Sequence, residues 1–375
     1  MNANSRLYVG LMSGTSIDGI DAALVRSTDH SIELLTTHEH SIPEPVRQQI
    51  VNLSASGPEE IELLGALDRA LGHLFGRATL ALLEKAKTSP ELVAAIGSHG
   101  QTVRHRPPSG GHKPDSSFTL QIADPNTIAE VTGITTVADF RRRDIAAGGE
   151  GAPLAPAFHA ATMSDANSNR AIVNIGGIAN VSFLQGENLV QGLDTGPGNT
   201  LLDGWINQTL GQRFDRGGNW SASGNVQTPL LEKLLEHPYF TLTGKRSTGK
   251  EHFNLAWLED KLSQLPAMDA ADVQATLAEF TALTIANEIN QCETSIDEIY
   301  LCGGGAHNDD LRNRIMHRTK TSTVATTSAI GIDPDWVEAM AFAWLASRCL
   351  DKLPGNAPVV TGACGLRVLG GIYPG

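Results

Sequence analysis

Two groups of residues in this 375-residue chain have the types and spacing needed to move a phosphoryl group. The first is Gly14-Thr15-Ser16-Ile17-Asp18-Gly19-Ile20-Asp21, set between apolar stretches in "LYVGLMSGTSIDGIDAALV" (7–25). Backbone N–H groups and hydroxyls at the tip of such a turn can cradle an anion. Its aspartates repel a bare phosphate but suit one that carries magnesium, which makes Asp18 the candidate metal ligand, directly or through water. Neither the P-loop pattern nor the dinucleotide fingerprint is present, and a Gly/Ser/Thr turn with a capping aspartate is also an ordinary hairpin tip. The second group is Asp194 in "GLDTGPGNT", a carboxylate that follows a short apolar segment and precedes Thr195-Gly196-Pro197-Gly198. A loop of that kind fixes a carboxylate at a cleft edge, where it can act as a general base. The competing reading is a cap for a helix that starts at Asn199 or Thr200.

The elements that must hold these groups are legible from periodicity. Gly19 to Val25 is rich in small and branched apolar residues and too short for a stable helix, so the first loop joins two strands in a hairpin. "RAIVNIGGIANVSFL" (170–184) repeats the design, with Gly176-Gly177 at the tip and Asn180 behind it. Between the hairpins lie a helical stretch, Glu59 to Ala86, with Leu63, Leu64, Leu67, Leu71, Leu74 and Leu80 at helical spacing, and the strand-like "VAAIGSHG" (93–100). A third glycine cluster follows a strand in "EIYLCGGGAHNDDLRNRI" (298–315), where Asn308 or Asp309 can cap a helix containing Leu311 and Ile315. Gly303-Gly304-Gly305 at that junction would let a flat ring approach the backbone, or simply make a tight turn. One hairpin shape in each half points to duplicated α/β domains that each offer a loop to a shared cleft.

The whole chain sets bounds on partners. Its length exceeds one ordinary core, which predicts two domains. Hydrophobic residues at 41% and charged residues at 18% describe a globular chain. A net charge of -13 argues against general binding to nucleic acid or anionic membrane, so an anionic ligand needs a local site. "MNANSRLYVG" lacks the features of a signal peptide, and no apolar run reaches the length of a membrane span. Cys292, Cys302, Cys349 and Cys364 show no C-x-x-C spacing, so neither a disulfide framework nor a zinc site is expected, and a reducing cytoplasm fits.

Two phosphate hairpins followed by a glycine-rich strand-to-helix junction resemble the order found in the actin, sugar kinase and Hsp70 superfamily. The opening segment, "SHGQTVRH" (98–105), "QIADPNTIAE" (121–130), "VADFRRRDIAAGGEGAPLAP" (137–156), "NIGGIANVS" (174–182) and "GLDTGPGN" (192–199) closely resemble the anhydro-N-acetylmuramic acid kinase family. The resemblance continues through "CGGGAHND", "EAMAFAWLA" (338–346) and "VTGACGLRVLGGIYPG", and so covers nearly the whole chain.

The resemblance implies an α/β fold of two actin-like (ribonuclease H-like) domains with a central nucleotide and substrate cleft. Domain I is expected over residues 1–137 plus 340–375 and domain II over 138–339. It implies an ATP- and magnesium-dependent enzyme of cell-wall recycling that opens the 1,6-anhydro ring of anhydro-N-acetylmuramic acid with water and phosphorylates O6. Asp194 is then the general base. The Gly14–Asp21 loop with Gly176, Gly177 and Asn180 meets the nucleotide phosphates, and Gly303, Gly304, Gly305 and Asn308 meet the adenosine. His99, Gln101, Asp124 and Glu338 are the implied sugar contacts. His99 could equally be a structural hydrogen-bonding residue, and Glu338 could act only on the dipole of its helix. Arg141-Arg142-Arg143 is either a solvated face, a site for anionic substrate or a subunit contact. A cytoplasmic homodimer is implied by the family alone. Two rivals remain: an ordinary sugar kinase acting on a free hydroxyl, and a nucleotide-driven binding module of the Hsp70 or actin type.

Overall fold

A computed structural model describes residues 5–14, 17, 19–28, 31–111, 113–242, 248–249, 252–321 and 323–375. It divides into two compact units, residues 1–158 with 336–375 and residues 159–335. Residues 138–158, which the sequence reading gave to the second domain, pack with the first.

In the first unit, β1 (Arg6–Ser13), β2 (Gly19–Ser27) and β3 (Ile32–Ser41) form an antiparallel meander. The expected opening hairpin is therefore present. The chain then runs through helix α1 (Glu60–Ala86) and returns as β4 (Val93–Arg106), parallel to β1. β5 (Phe118–Ile122) pairs antiparallel with the far end of β4, helix α2 (Pro125–Thr132) follows, and β6 (Thr136–Ala138) adds parallel to β4. Helix α3 (Phe140–Ala146) carries the arginine run. α1 lays Leu67, Leu71, Leu74, Phe75, Leu82 and Leu83 against the sheet residues Val9, Leu11, Leu24 and Ile96 in one core. Leu80, grouped with the apolar face by spacing, is instead 37% exposed, because Leu82 and Leu83 carry the seam through the last turns.

The second unit repeats this order. β7 (Asn169–Ile175), β8 (Ile178–Gln185) and β9 (Asn188–Pro197) make the antiparallel meander, and β10 (Glu298–Cys302) and β11 (Thr323–Thr326) add in parallel beside β7. Helices α4 (Asn199–Leu210), α5 (Ala270–Gln291) and α6 (Asp309–Arg318) complete what the site needs. The second sheet runs β9-β8-β7-β10-β11 and the first β3-β2-β1-β4-β6-β12 with β5 on β4, so both share three antiparallel strands followed by two parallel additions. That shared topology is the ribonuclease H-like arrangement used twice in actin-like folds, as expected.

The chain re-enters the first unit as α7 (Val337–Leu350) and ends with β12 (Gly371–Tyr373) on β6. Gly10 of β1 and Gly97 of β4 are direct partners in the parallel ladder. A Cβ on Gly10 would lie 1.8 Å from the Ala339 carbonyl oxygen, and one on Gly97 would lie 2.0 Å from that of Phe342. The paired glycines thus let the backbone of α7 lie directly on the sheet, with Ala339 and Ala343 buried beneath it. This contact fixes the first turn of α7, which carries Glu338.

Candidate active site

The first unit holds the opening loop and a polar cluster beneath it. Thr15, Ser16 and Asp18 lie outside the described residues. Gly14 is half-buried, and its carbonyl accepts the Ile17 N–H at 3.2 Å. Ile17 has φ +59°, a left-handed conformation that a β-branched residue adopts only at a cost, and its side chain is buried. Ile20 is also fully buried, while Gly19 and Asp21 enter β2 opposite Ser41 and Glu39. The two isoleucines therefore anchor the loop from below, and only their backbone is open to a nucleotide role. Gln101, 1% exposed, braces the same loop: its Oε1 lies 2.7 Å from the Ser13 hydroxyl and its Nε2 donates to the Gly14 carbonyl at 3.3 Å.

His99 is buried on β4 with its ring against Phe342 of α7, centroids 4.7 Å apart. Arg141 donates to its Nε2 from Nε at 3.0 Å and from Nη2 at 2.9 Å, and from Nη1 to the Gly151 carbonyl at 2.9 Å. A guanidinium has no acceptor, so His99 Nε2 must be the lone-pair nitrogen and Nδ1–H donates to the Gly100 carbonyl at 2.9 Å. Burial and then the adjacent Arg141 charge hold His99 well below the ordinary histidine range, which keeps it neutral in this bond. Burial also pulls Arg141 down to about 10, against the Glu338 and Asp144 carboxylates that support its charge. Glu338 keeps contact with solvent yet is densely surrounded, and that desolvation raises its carboxyl above the ordinary range, with Arg141 opposing. A cation and a carboxylate of perturbed affinity thus stand together on α3 and α7, an arrangement typical of functional sites.

Asp144 is fully buried and ties this region to the C-terminal segment. It accepts from the Gly151 amide at 2.9 Å, Asn356 Nδ2 at 3.0 Å and the Thr361 hydroxyl at 2.9 Å. Asp124 is the N-cap of α2. Its Oδ1 accepts from the Asn126 amide and side chain at 3.1 and 3.0 Å, and its Oδ2 from the Thr127 amide and hydroxyl at 3.1 and 2.5 Å. Burial would raise its pKa, but these donors outweigh that and lower it. All four acceptor sites of the carboxylate are engaged. Asp124 is thus the N-cap that fixes the start of α2, a role beside the sugar contact that the sequence reading gave it.

In the second unit, the Gly176–Gly177 tip of the β7–β8 hairpin receives the start of α4. Gly198 and Thr200 amides donate to the Gly177 carbonyl at 2.9 and 3.1 Å, and the Asn199 amide to that of Gly176 at 2.8 Å. Gly198 is the N-cap of α4, with no side-chain cap, so Asp194 does not cap this helix. Asp194 lies instead within β9 opposite the half-buried Asn180, at a bulge: Ala179 pairs with Gly196, Asn180 with Asp194, and Thr195 has no opposite residue. Bulges re-aim side chains next to active sites. The Asp194 side chain is 9% exposed, its Oδ2 accepts the Thr248 amide at 3.0 Å, and its backbone carbonyl accepts the buried Tyr239 hydroxyl at 2.5 Å.

The third glycine cluster divides by role. Cβ atoms on Gly303 and Gly305 would strike Asn174 and Ile175 of β7 at 2.4 and 2.3 Å, while Gly304 is exposed and a Cβ there would meet only Asn199 Nδ2, at 3.8 Å. Gly304 is thus the position where a flat ring could reach the backbone. Asn308, and not Asp309, caps α6 through the Leu311 amide at 2.9 Å. The roles of Arg141, Asp144 and Tyr239 escaped the sequence reading. Arg141 lay within the arginine run left open there, and no spacing signal marks Tyr239.

Residues 6–375 match the model of a family described as anhydro-N-acetylmuramic acid kinase. Among curated relatives, the anhydro-N-acetylmuramic acid kinase of Shewanella halifaxensis is 51% identical over 99% of this chain and 99% of its own length. That of Pseudomonas fluorescens is 49% identical over 98% of this chain and 99% of its own. Among solved structures, a ROK family glucokinase from Streptomyces griseus in complex with glucose and AMPPNP aligns with TM-score 0.41 and 12% identity, covering 91% of this chain and 99% of its own.

Proposed function

The chain belongs to the anhydro-N-acetylmuramic acid kinase family, and from that premise we propose that it opens the 1,6-anhydro ring of 1,6-anhydro-N-acetylmuramic acid with water and transfers the γ-phosphoryl group of ATP to O6. The products are N-acetylmuramic acid 6-phosphate and ADP, and the setting is peptidoglycan recycling in the cytoplasm, by a homodimer. The observation that carries the reading is Asp194: a nearly buried carboxylate at a strand bulge, held by the Thr248 amide and excluded from the capping role that would explain it otherwise.

The chemistry assigns each group one task. A water oxygen bonds to C1 as the C1–O6 bond breaks, the water proton passes to Asp194, and O6 bonds to the γ-phosphorus as ADP leaves. In the first unit, Glu338 and Arg141 address the sugar hydroxyls and its lactyl carboxylate, with His99 holding Arg141 and Gln101 holding the Gly14–Asp21 loop. In the second, Gly176 and Gly177 with Asn180 serve the phosphates, and Gly304, flanked by Gly303 and Gly305, serves the adenosine with Asn308 capping behind it. Magnesium, when bound, offsets charge on the transferred phosphates. It keeps several waters and needs only one or two carboxylates beside phosphate oxygens. The half-buried Asp21 at the entry to β2 fits that requirement, and Asp18, outside the described residues, is the proposed ligand.

Turnover in ¹⁸O-water with mass spectrometry tests the reading, provided the product is trapped before its free anomeric centre exchanges. Ring hydrolysis places the label at C1. An unlabelled phosphorylated product would instead establish phosphorylation of a free hydroxyl, and ATP consumption without sugar phosphate would establish a nucleotide-driven binding module.

A further inference from the structure

We propose that Tyr239 is a positioning residue for the reaction, acting through the backbone of Asp194; this rests on the reading of Asp194 as the base. Asp194 pairs with Asn180 in regular register, and the bulge falls at the next residue, Thr195. A carbonyl beside a bulge can take a donor from outside the ladder. Tyr239 supplies one: its ring is 4% exposed and its hydroxyl reaches the Asp194 carbonyl at 2.5 Å.

The ring itself is held by an aromatic cluster. Phe240 and Phe253 stand edge-on to Tyr239 at 5.5 and 5.9 Å, and Phe253 stands edge-on to Trp257 at 5.4 Å. Phe240 in turn packs edge-on to Phe280 of α5 at 5.3 Å. The hydroxyl is therefore a fixed point referred to the core of the second unit. Further along the same segment, the Thr248 amide donates to Asp194 Oδ2 at 3.0 Å. Tyr239 and Thr248 thus fix the main chain and the carboxylate of the same residue, and set the direction in which the base accepts a proton. A buried tyrosine hydroxyl needs an acceptor, and here that acceptor is the main chain of the proposed base.

The test is Tyr239→Phe, which keeps the ring and removes one oxygen. kcat for ring opening should fall about 10- to 100-fold, the scale of an ångström-level misplacement, with KM for ATP and sugar within twofold. Ile289→Ala, in a buried core cluster of the second unit outside the aromatic cluster, serves as a packing control, expected to lower the melting temperature and leave kcat within twofold. In an Asp194→Asn background, single-turnover rates should be the same with Tyr or Phe at 239, because the hydroxyl works only through the carboxylate. Unchanged kcat in Tyr239→Phe overturns the inference, as does an equal loss of kcat in Ile289→Ala or a full additional loss in the Asp194→Asn background. Near-normal turnover by Asp194→Asn alone would defeat the assignment of the base, an outcome distinct from failure at Tyr239 with Asp194 essential.

Discussion

Replacing Gly10 with alanine should displace the helix that carries Glu338 without touching any group proposed to meet substrate. The new Cβ would stand 1.8 Å from the Ala339 carbonyl oxygen and 2.8 Å from the Ala343 amide nitrogen. Carbon and oxygen tolerate no closer approach than about 3.2 Å, so α7 must recede by roughly 1.4 Å, since a close-packed interior has no slack to absorb the clash. Overpacking of this kind costs about 1–3 kcal/mol. For a unit of this size that is a fall of roughly 2–12 °C in melting temperature. Ala339 follows Glu338 in the chain, so the carboxylate moves with it, and a shift of that size in a substrate-positioning group is worth about 10²-fold in kcat/KM for the sugar. Gly97→Ala is the internal comparison: its Cβ would meet the Phe342 carbonyl at 2.0 Å, a turn further from Glu338. It should destabilise to a similar degree with a smaller kinetic loss. Differential scanning fluorimetry and steady-state kinetics on both variants suffice. A folded Gly10→Ala protein with wild-type sugar kinetics would refute the claim that the glycine-seated backbone of α7 sets the position of Glu338.

Asp194→Asn should lower kcat by about 10²- to 10⁴-fold while ATP and sugar still bind by calorimetry; the amide oxygen can keep the Thr248 bond, so a folded variant with near-normal turnover removes Asp194 from the mechanism. Glu338→Gln should raise the sugar KM or lower kcat with ATP affinity nearly unchanged, and His99→Ala should do the same less directly by releasing Arg141; normal kinetics with lost thermal stability would leave both residues structural. Stability should fall on acidification: His105 is pushed down to about 4 and His159 to about 3, mainly by burial, so below the unfolded value near 6.5 the unfolded chain binds protons that the folded chain does not. Each histidine contributes up to about 1.4 kcal/mol per pH unit as pH falls from about 6.5 toward its folded value, and thermal melts of His159→Gln from pH 7.5 to 5 should show a flatter decline; an unchanged slope would exclude His159 from the effect.

The elements were legible where period and punctuation agreed. Both hairpins, the strand beginning at Val93 and the capped helix after Gly303–Gly305 follow from apolar runs broken by glycine, and the structure has each of them. The buried face of α7 follows helical spacing too, with Ala339, Phe342, Ala343 and Leu345 all buried. What stayed hidden depends on partners distant in sequence. Gly10 and Gly97 sit singly inside strands, a pattern that marks close approach of another backbone but does not say which. The boundary between residues 158 and 159 falls inside the helix Ala155–Met163, where no linker composition announces it. Tyr239 meets Asp194 across 45 residues, and nothing local to either encodes the bond.

The polar motif residues separate into ligands and braces once their hydrogen-bonding capacity is counted. Asp124 has its four acceptor sites filled by its own helix, and Gln101 spends both ends of its amide on the hairpin. His99 gives its lone pair to Arg141 and its proton to Gly100, so it has no ring nitrogen to offer a sugar. Arg141 commits three of its N–H bonds to His99 and Gly151 among the described residues, and a guanidinium carries five. Glu338 is the remaining member, solvent-accessible and with a carboxyl raised by its surroundings. A sequence motif marks all five alike, because a brace and the ligand it supports are equally necessary to the same geometry. On the proposed function, Arg141 and Glu338 make the contact and the other three preorganise it, which places their costs differently: loss of a ligand should show in sugar kinetics first, and loss of a brace in stability as well.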